Sequence, residues 1–180
     1  MEKDLTISPL KANLYVTPLG LALAGVMLLS YALIWGAASA FDLSWLLARS
    51  INLLLTLLAL VVAGLLHELL HAIGWTFFGR QPWSAIHFGM FWLALTPYTH
   101  LKVPIDVDAY RAGGILPVLV TGVLPYLIGL VSGSSPWLWL GILMSIAACG
   151  DLLSLWLLRR LPAGTMVQDH PSRVGCTVVE

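Results

Sequence analysis

The stretch Leu60-Val61-Val62-Ala63-Gly64-Leu65-Leu66-His67-Glu68-Leu69-Leu70-His71-Ala72-Ile73-Gly74-Trp75 decides how this sequence is read. It lies in a run of 30 residues between Arg49 and Arg80 whose only formal charge is Glu68. A membrane-spanning helix needs about 20 predominantly apolar residues, so the run is long enough to cross a bilayer. On a helix, positions four apart share a face, so the imidazoles of His67 and His71 reach one metal ion while Glu68 reaches the water on it. Chance is a poor source of this HExxH pattern: five His and three Glu in 180 residues give roughly 0.002 random occurrences. Simple packing inside a helix bundle is no better, because a charge near the bilayer centre costs at least about 2.5–3.5 kcal/mol.

Outward from this stretch, the charges stay sparse. Of the 180 residues 59% are hydrophobic and 10% charged, against roughly 25% charged in a soluble domain, which excludes a soluble globule. Nine basic residues balance nine acidic ones, so no net field attracts nucleic acid. Cys149 and Cys176 form neither a disulfide framework nor a CxxC metal site. Thirty uncharged residues separate Lys11 from Asp42, and 47 residues charged only at Asp151 separate Arg111 from Arg159. The longer run is broken by Ser132-Gly133-Ser134-Ser135-Pro136, a turn composition. The expectation is an all-α integral membrane protein, a single domain over residues 1–180, with four spans near 18–40, 52–78, 113–131 and 137–158 and a tail at 159–180. Ala38-Ser39-Ala40 looks like a signal-peptidase site, but the apolar run before it exceeds the usual 7 to 15 residues of a signal core, so it reads as an uncleaved anchor.

Lys3 and Lys11 precede the first span, Arg80, Lys102 and Arg111 fall between the second and third, and Arg159 and Arg160 close the fourth. By the positive-inside rule the chain is a multi-pass cell-membrane protein with both termini and the 80–112 segment cytoplasmic. Residues 81–104 are rich in aromatic and branched side chains and punctuated by Pro82, Gly89, Pro97 and Pro104, a composition that predicts short strands or a hairpin after the metal helix.

A catalytic metal helix needs a third protein ligand. The extended pattern that supplies a third His is met as far as Gly74 but has Phe77 at the ligand position, and the only Glu after Glu68 is Glu180. Asp151, Asp169, His87, His100 and His170 remain. Depth favours Asp151: it precedes Arg159 by eight residues, and His71 precedes Arg80 by nine in a span of the same direction, so both lie about 12–13 Å from one membrane boundary. Its small neighbours Ser145, Ala147, Ala148, Cys149 and Gly150, with Gly64 and Gly74 on the metal helix, suit close helix approach. His100 is the second candidate, and His100 or Tyr98 is suited to donate to a tetrahedral oxyanion. His87 reads as a surface or interface residue, and Asp169-His170-Pro171 as a capped turn.

His67-Glu68-Leu69-Leu70-His71-Ala72, Phe88-Gly89, Pro97-Tyr98-Thr99-His100, Pro104, Tyr110-Arg111, Pro117, Pro125, Gly150-Asp151 and Asp169-His170-Pro171 together resemble the intramembrane metalloproteases typified by site-2 protease, and more closely a family of small membrane proteins classed as zincin peptidases. The resemblance implies one zinc ion on His67, His71 and Asp151, Glu68 as general base, and a membrane protein or peptide as substrate. Site-2 proteases carry an Asn and an Asp-Gly pair around the ligand aspartate; here the pair is reversed as Gly150-Asp151, and no Asn follows Asn52. Two other functions fit less well. A non-catalytic metal scaffold has no use for Glu68. A haem carrier needs an axial ligand from a second helix, since His67 and His71 share one face.

The loop charges yield a testable topology. Reporter fusions at residue 95 and at the C-terminus give the cytoplasmic signal, and fusions near Leu43 and Ser134 the external one; a C-terminus found outside removes the four-span reading.

Overall fold

The structure is a computed structural model that describes residues 4–92, 96–170 and 172–179. Lys3, used for the topology, and Pro171, assigned to a turn, lie outside the described residues. β1 (Asp4–Ile7) leads into α1 (Pro9–Trp35), the short helices α2 (Ala37–Ala40) and α3 (Ser44–Leu47), and the long α4 (Ser50–Phe78). Strands β2 (Ile86–Phe91), β3 (Thr96–Leu101) and β4 (Ile105–Asp106) precede α5 (Val107–Pro117), a π-helical segment at Val118–Val123, and α6 (Leu124–Ser132). The chain ends with α7 (Ser135–Ala147), α8 (Cys149–Leu158), β5 (Met166–Asp169) and β6 (Val174–Val179).

Three helical stretches, Pro9–Trp35, Ser50–Phe78 and Val107–Ser132, are long and apolar enough to cross a membrane, and α7 with α8 forms a fourth if counted as one bent span. Their outer faces carry exposed Leu14, Leu21, Leu29, Leu54, Leu58, Val61 and Leu65, which water does not favour and lipid does.

The second stretch lies where the sequence placed it, whereas the others shift. The first begins nine residues earlier than expected because Ser8 caps it, its Oγ accepting from the Lys11 N–H at 3.4 Å, with Pro9 at the first helical position. It stops at Trp35 rather than residue 40 because Gly36 takes φ +84°. The third starts at Val107, where the Asp106 carboxylate accepts the Asp108 N–H at 2.8 Å. The fourth is not continuous: it bends by 44° between Ala147 and Cys149.

The expected hairpin is present, β2 pairing antiparallel with β3 so that His87 lies opposite His100 and Gly89 opposite Tyr98. The all-α expectation needs correction, because β1, β6, β5 and β4 form a four-stranded antiparallel sheet in that order. The segment read as a plain tail supplies two of its strands, Val174-Gly175-Cys176-Thr177-Val178-Val179 having the branched composition that strands favour. Gly175 opposes Thr6 at φ +107°, a conformation denied to side-chain-bearing residues. Both ends of the described chain therefore meet in one sheet.

Two buried clusters hold the helices. One joins Trp75, Leu101, Ile105, Val107, Leu158, Val167 and Cys176, tying α4, the hairpin, α5, α8 and the sheet. The other joins Met27, Tyr31, Ala40, Leu138 and Ile142, where the Tyr31 hydroxyl donates to the Gly133 carbonyl at 2.6 Å and Trp139 Nε1 to that of Ala40 at 3.0 Å. Arg111 closes α8, its Nη2 donating to the carbonyls of Leu158 and Leu161 at 2.5 and 3.0 Å.

The small residues pack differently from the sequence expectation. Gly74 lies against Gly113 of α5, so close that a Cβ there would stand 2.5 Å from the Gly113 Cα, and nothing lies within 4 Å of a Cβ on Gly64. Ser145 meets Gly122 of the π segment. The close approach is thus made by the third stretch, which fits between α4 and α7.

Cys176 is fully buried in the sheet, and burial, then the nearby Asp169 charge, pushes its thiol up to about 12. At pH 8 the folded protein accordingly keeps this thiol protonated. Iodoacetamide, which needs the thiolate, labels Cys176 in urea-unfolded protein and leaves it unlabelled in the folded protein, as peptide mass mapping would read.

Candidate metal centre

His67 and His71 stand one turn apart on α4, both buried, with ring centroids 5.1 Å apart and planes nearly perpendicular. Asp151 comes from the first turn of α8, just after the bend. The break brings it there: the Asp151 N–H donates to the Ala148 carbonyl at 3.1 Å, a tight turn that restarts the helix with the carboxylate at its positive end. Asp151 Oδ2 lies 3.0 Å from His67 Nε2, and Oδ1 lies 3.3 Å from His71 Nε2. One ligand atom from each of the three residues falls within 4.8 Å of the others.

The outer nitrogens fix the protonation pattern. His71 Nδ1 is 3.1 Å from the Gly113 carbonyl, which only accepts, so Nδ1 carries hydrogen. His67 Nδ1 is 3.2 Å from Thr121 Oγ1, and that hydroxyl gives its own hydrogen to the Pro117 carbonyl at 2.8 Å. Thr121 is therefore an acceptor toward His67, and this Nδ1 carries hydrogen as well. In neutral rings both Nε2 atoms then present lone pairs to a carboxylate, three acceptors facing one another. A divalent cation resolves that conflict, and the donor set suits it: nitrogen and oxygen ligands about 2.0–2.1 Å from a tetrahedral ion stand about 3.3 Å from each other. The spacings found, 3.0 Å to Asp151 Oδ2 and 3.3 Å to Oδ1, run to different oxygens and are of that order, and the Nδ1 hydrogen bonds are the outer contacts that metal-binding histidines use to hold their rings.

Thr121 owes its place to the π segment. Pro125 lacks an N–H for the residue 121 carbonyl, so the helix widens there. Trp75 fixes the other side, stacked on His71 at 5.2 Å and on Tyr110 at 5.3 Å, with its Nε1 donating to the Tyr110 carbonyl at 3.2 Å.

Glu68, His71 and Asp151 line a cavity of about 500 Å³ whose wall also includes Tyr98, Thr99, His100, Ser154, Asp169 and His170. Thr99 Oγ1 donates to the Glu68 carbonyl at 3.0 Å, pinning β3 against the helix.

Of the sequence candidates, the structure brings His67, His71 and Asp151 together with Glu68 beside them. His100 does not join them as an alternative ligand; its Nδ1 is 2.9 Å from Asp169 Oδ2. Asp169 is more than part of a capped turn, since it also accepts from the Tyr110 hydroxyl at 3.0 Å. His170 does stabilise a turn, its Nδ1 accepting from the Ser172 and Arg173 N–H groups at 3.1 and 3.0 Å. His87 is exposed, 6.2 Å from the Tyr98 ring. Gly113, Thr121, Trp75 and Tyr110 carry supporting contacts that sequence reasoning missed; Tyr110 entered only through the Tyr110-Arg111 pair of the resemblance, and Thr121 left the trace of a hydroxyl four residues after Pro117 in an apolar run.

Replacing Thr121 by Val removes the acceptor for His67 Nδ1 at nearly constant volume. Loss of such an outer contact lowers metal affinity about 10–100-fold; competition titration of zinc against a chelator on Thr121→Val measures it, and unchanged affinity removes the hydroxyl from the metal-binding apparatus.

No curated protein and no solved structure matches the chain. The sequence model of one family matches residues 60–166, which include His67, Glu68, His71, His100, Thr121 and Asp151 and stop short of Asp169. The chain belongs to that family, DUF3267, described as "Putative zincin peptidase".

Proposed function

We propose that this protein is a zinc metallopeptidase that hydrolyses peptide bonds within or beside a membrane. The observation that carries the reading is the convergence of two imidazole nitrogens and a carboxylate within 3.0 and 3.3 Å, next to a glutamate on a cavity. His67, His71 and Asp151 would hold one zinc ion. Among the described residues no fourth His, Cys, Asp or Glu joins this group, the pattern of a site that keeps a position for water rather than closing around the metal.

Zinc bound there supplies a Lewis acid that lowers the pKa of water to about 7 and polarises a carbonyl. Glu68, one residue from His67 and facing the cavity, takes the proton as the water oxygen bonds to the peptide carbon. It then delivers that proton to the amide nitrogen as the C–N bond breaks, leaving a carboxylic acid and an amine. Asp151 neutralises part of the positive charge, and the Gly113 and Thr121 contacts hold both rings with Nε2 turned inward. The apolar exterior supports a lipid surround, and the substrate is then a membrane protein or peptide. Pairing of β1 with β6 puts both ends of the chain at one end of the bundle, which supports an even number of crossings. With Arg80, Lys102, Arg111, Arg159 and Arg160 flanking the spans, that end is cytoplasmic.

Zinc analysis and a cleavage assay on the same purified variants separate binding from chemistry. Glu68→Gln keeps about one zinc per chain while cleavage falls at least about 100-fold. His71→Ala loses the zinc itself. Cleavage undiminished in Glu68→Gln would end the enzyme reading.

A further inference from the structure

Asp169, at the end of β5, has a largely buried side chain, 13% exposed. Its carboxylate accepts three hydrogen bonds: from His100 Nδ1 at 2.9 Å and the Leu101 N–H at 3.3 Å on Oδ2, and from the Tyr110 hydroxyl at 3.0 Å on Oδ1. Those partners include no lysine or arginine. A carboxylate only accepts, so His100 Nδ1 carries hydrogen and Nε2 is the ring atom left over. No hydrogen bond from His100 Nε2 occurs among the described residues. The ring is 18% exposed and lines the same cavity as Glu68, His71 and Asp151.

The arrangement is tied to the metal centre at two points. Thr99, adjacent to His100, holds the Glu68 carbonyl. Tyr110, which holds Asp169, stacks on Trp75, which stacks on His71. Peptide hydrolysis places negative charge on the former carbonyl oxygen, and donors already aimed at that oxygen supply the largest stabilisation in such reactions. The Leu101 N–H is consumed by Asp169, whereas His100, which lines the cavity, has no partner for Nε2 among the described residues. Donation from Nε2 requires hydrogen on both ring nitrogens, and the Asp169 carboxylate 2.9 Å from Nδ1 is the counter-charge for that form.

We infer that His100 donates a hydrogen bond from Nε2 to the carbonyl oxygen of the bound peptide as it becomes an oxyanion, and that Asp169 is its positioning residue. The C-terminal sheet thereby completes a site whose other parts lie within residues 60–166. No proton leaves His100 in this role; the hydrogen bond strengthens as the C–O bond becomes single. The inference rests on the metallopeptidase reading.

Two measurements on detergent-purified protein test it, each with zinc content and thermal melting on the same samples. The first is cleavage of a quenched fluorogenic peptide library, and the second is calorimetric binding of a phosphinic peptide, a tetrahedral anion that mimics the oxyanion. His100→Ala is expected to keep its zinc, to lower kcat about 100- to 1,000-fold with little change in KM, and to weaken phosphinic-peptide binding by a similar factor. His100→Gln, whose amide also donates, recovers about tenfold or more of both losses. Asp169→Asn lowers kcat less than His100→Ala does, and adds little when combined with it. Unchanged kcat and unchanged phosphinic-peptide binding in a folded His100→Ala overturn the proposal, as does loss of zinc in that variant, which would make His100 a ligand. If His100→Ala does not fold, His100→Gln and Asp169→Asn decide: wild-type binding of the phosphinic peptide by both overturns it. Failure of the underlying reading looks different, because Glu68→Gln would then cleave as well as wild type.

Discussion

Two neutral imidazole nitrogens and a carboxylate repel one another unless a positive charge stands among them, and the rest of this structure is arranged around that constraint. His67 Nε2, His71 Nε2 and the Asp151 carboxylate converge because Thr121 and Gly113 hold the outer ring nitrogens and the turn at Ala148 sets Asp151 at the start of α8. A buried group left so exposed to its own kind is strongly unfavourable. On the proposed reading, a cation held there would contribute to folding as well as to chemistry.

Each irregularity in the helices serves this convergence. The bend between α7 and α8 turns Asp151 toward α4, and the π segment turns Thr121 toward His67. The contact of Gly74 with Gly113 brings a backbone carbonyl within reach of His71, which any side chain at either position would prevent. Backbone that departs from the α-helix at membrane depth is tolerated where protein covers it, and these departures lie in the interior of the bundle. The proteolytic proposal therefore draws on the third stretch as much as on the two helices that carry the acidic and imidazole groups.

The HExxH spacing, the absence of charge around it and the matching depth of Asp151 are local or one-dimensional features, and they were legible in the sequence. The hairpin was legible too, from its prolines and branched residues between two apolar runs. The contribution of the third stretch was not: Gly113 acts through its backbone carbonyl, and Thr121 through a helix widening before Pro125 whose effect on a side chain four residues earlier no periodicity shows. The sheet was missed for a related reason. Asp4–Ile7 and Val174–Val179 are each too short to pattern convincingly alone, and they pair across nearly the whole chain. Asp169 looked like turn chemistry because its neighbours His170 and Ser172 do form a turn; its three donors come from β3 and α5, far away in sequence.

The pairing of β1 with β6 also sets a schedule. During synthesis β1 precedes its partner strand by all four apolar stretches, so its edge waits unpaired while the helices assemble. Asp169 comes almost as late, which means that His67, His71 and Asp151 can assemble while the cavity still lacks part of its wall. Nascent chains would thus gather His67, His71 and Asp151 before their full set of cavity residues, and the proposed proteolytic activity would appear only late in synthesis.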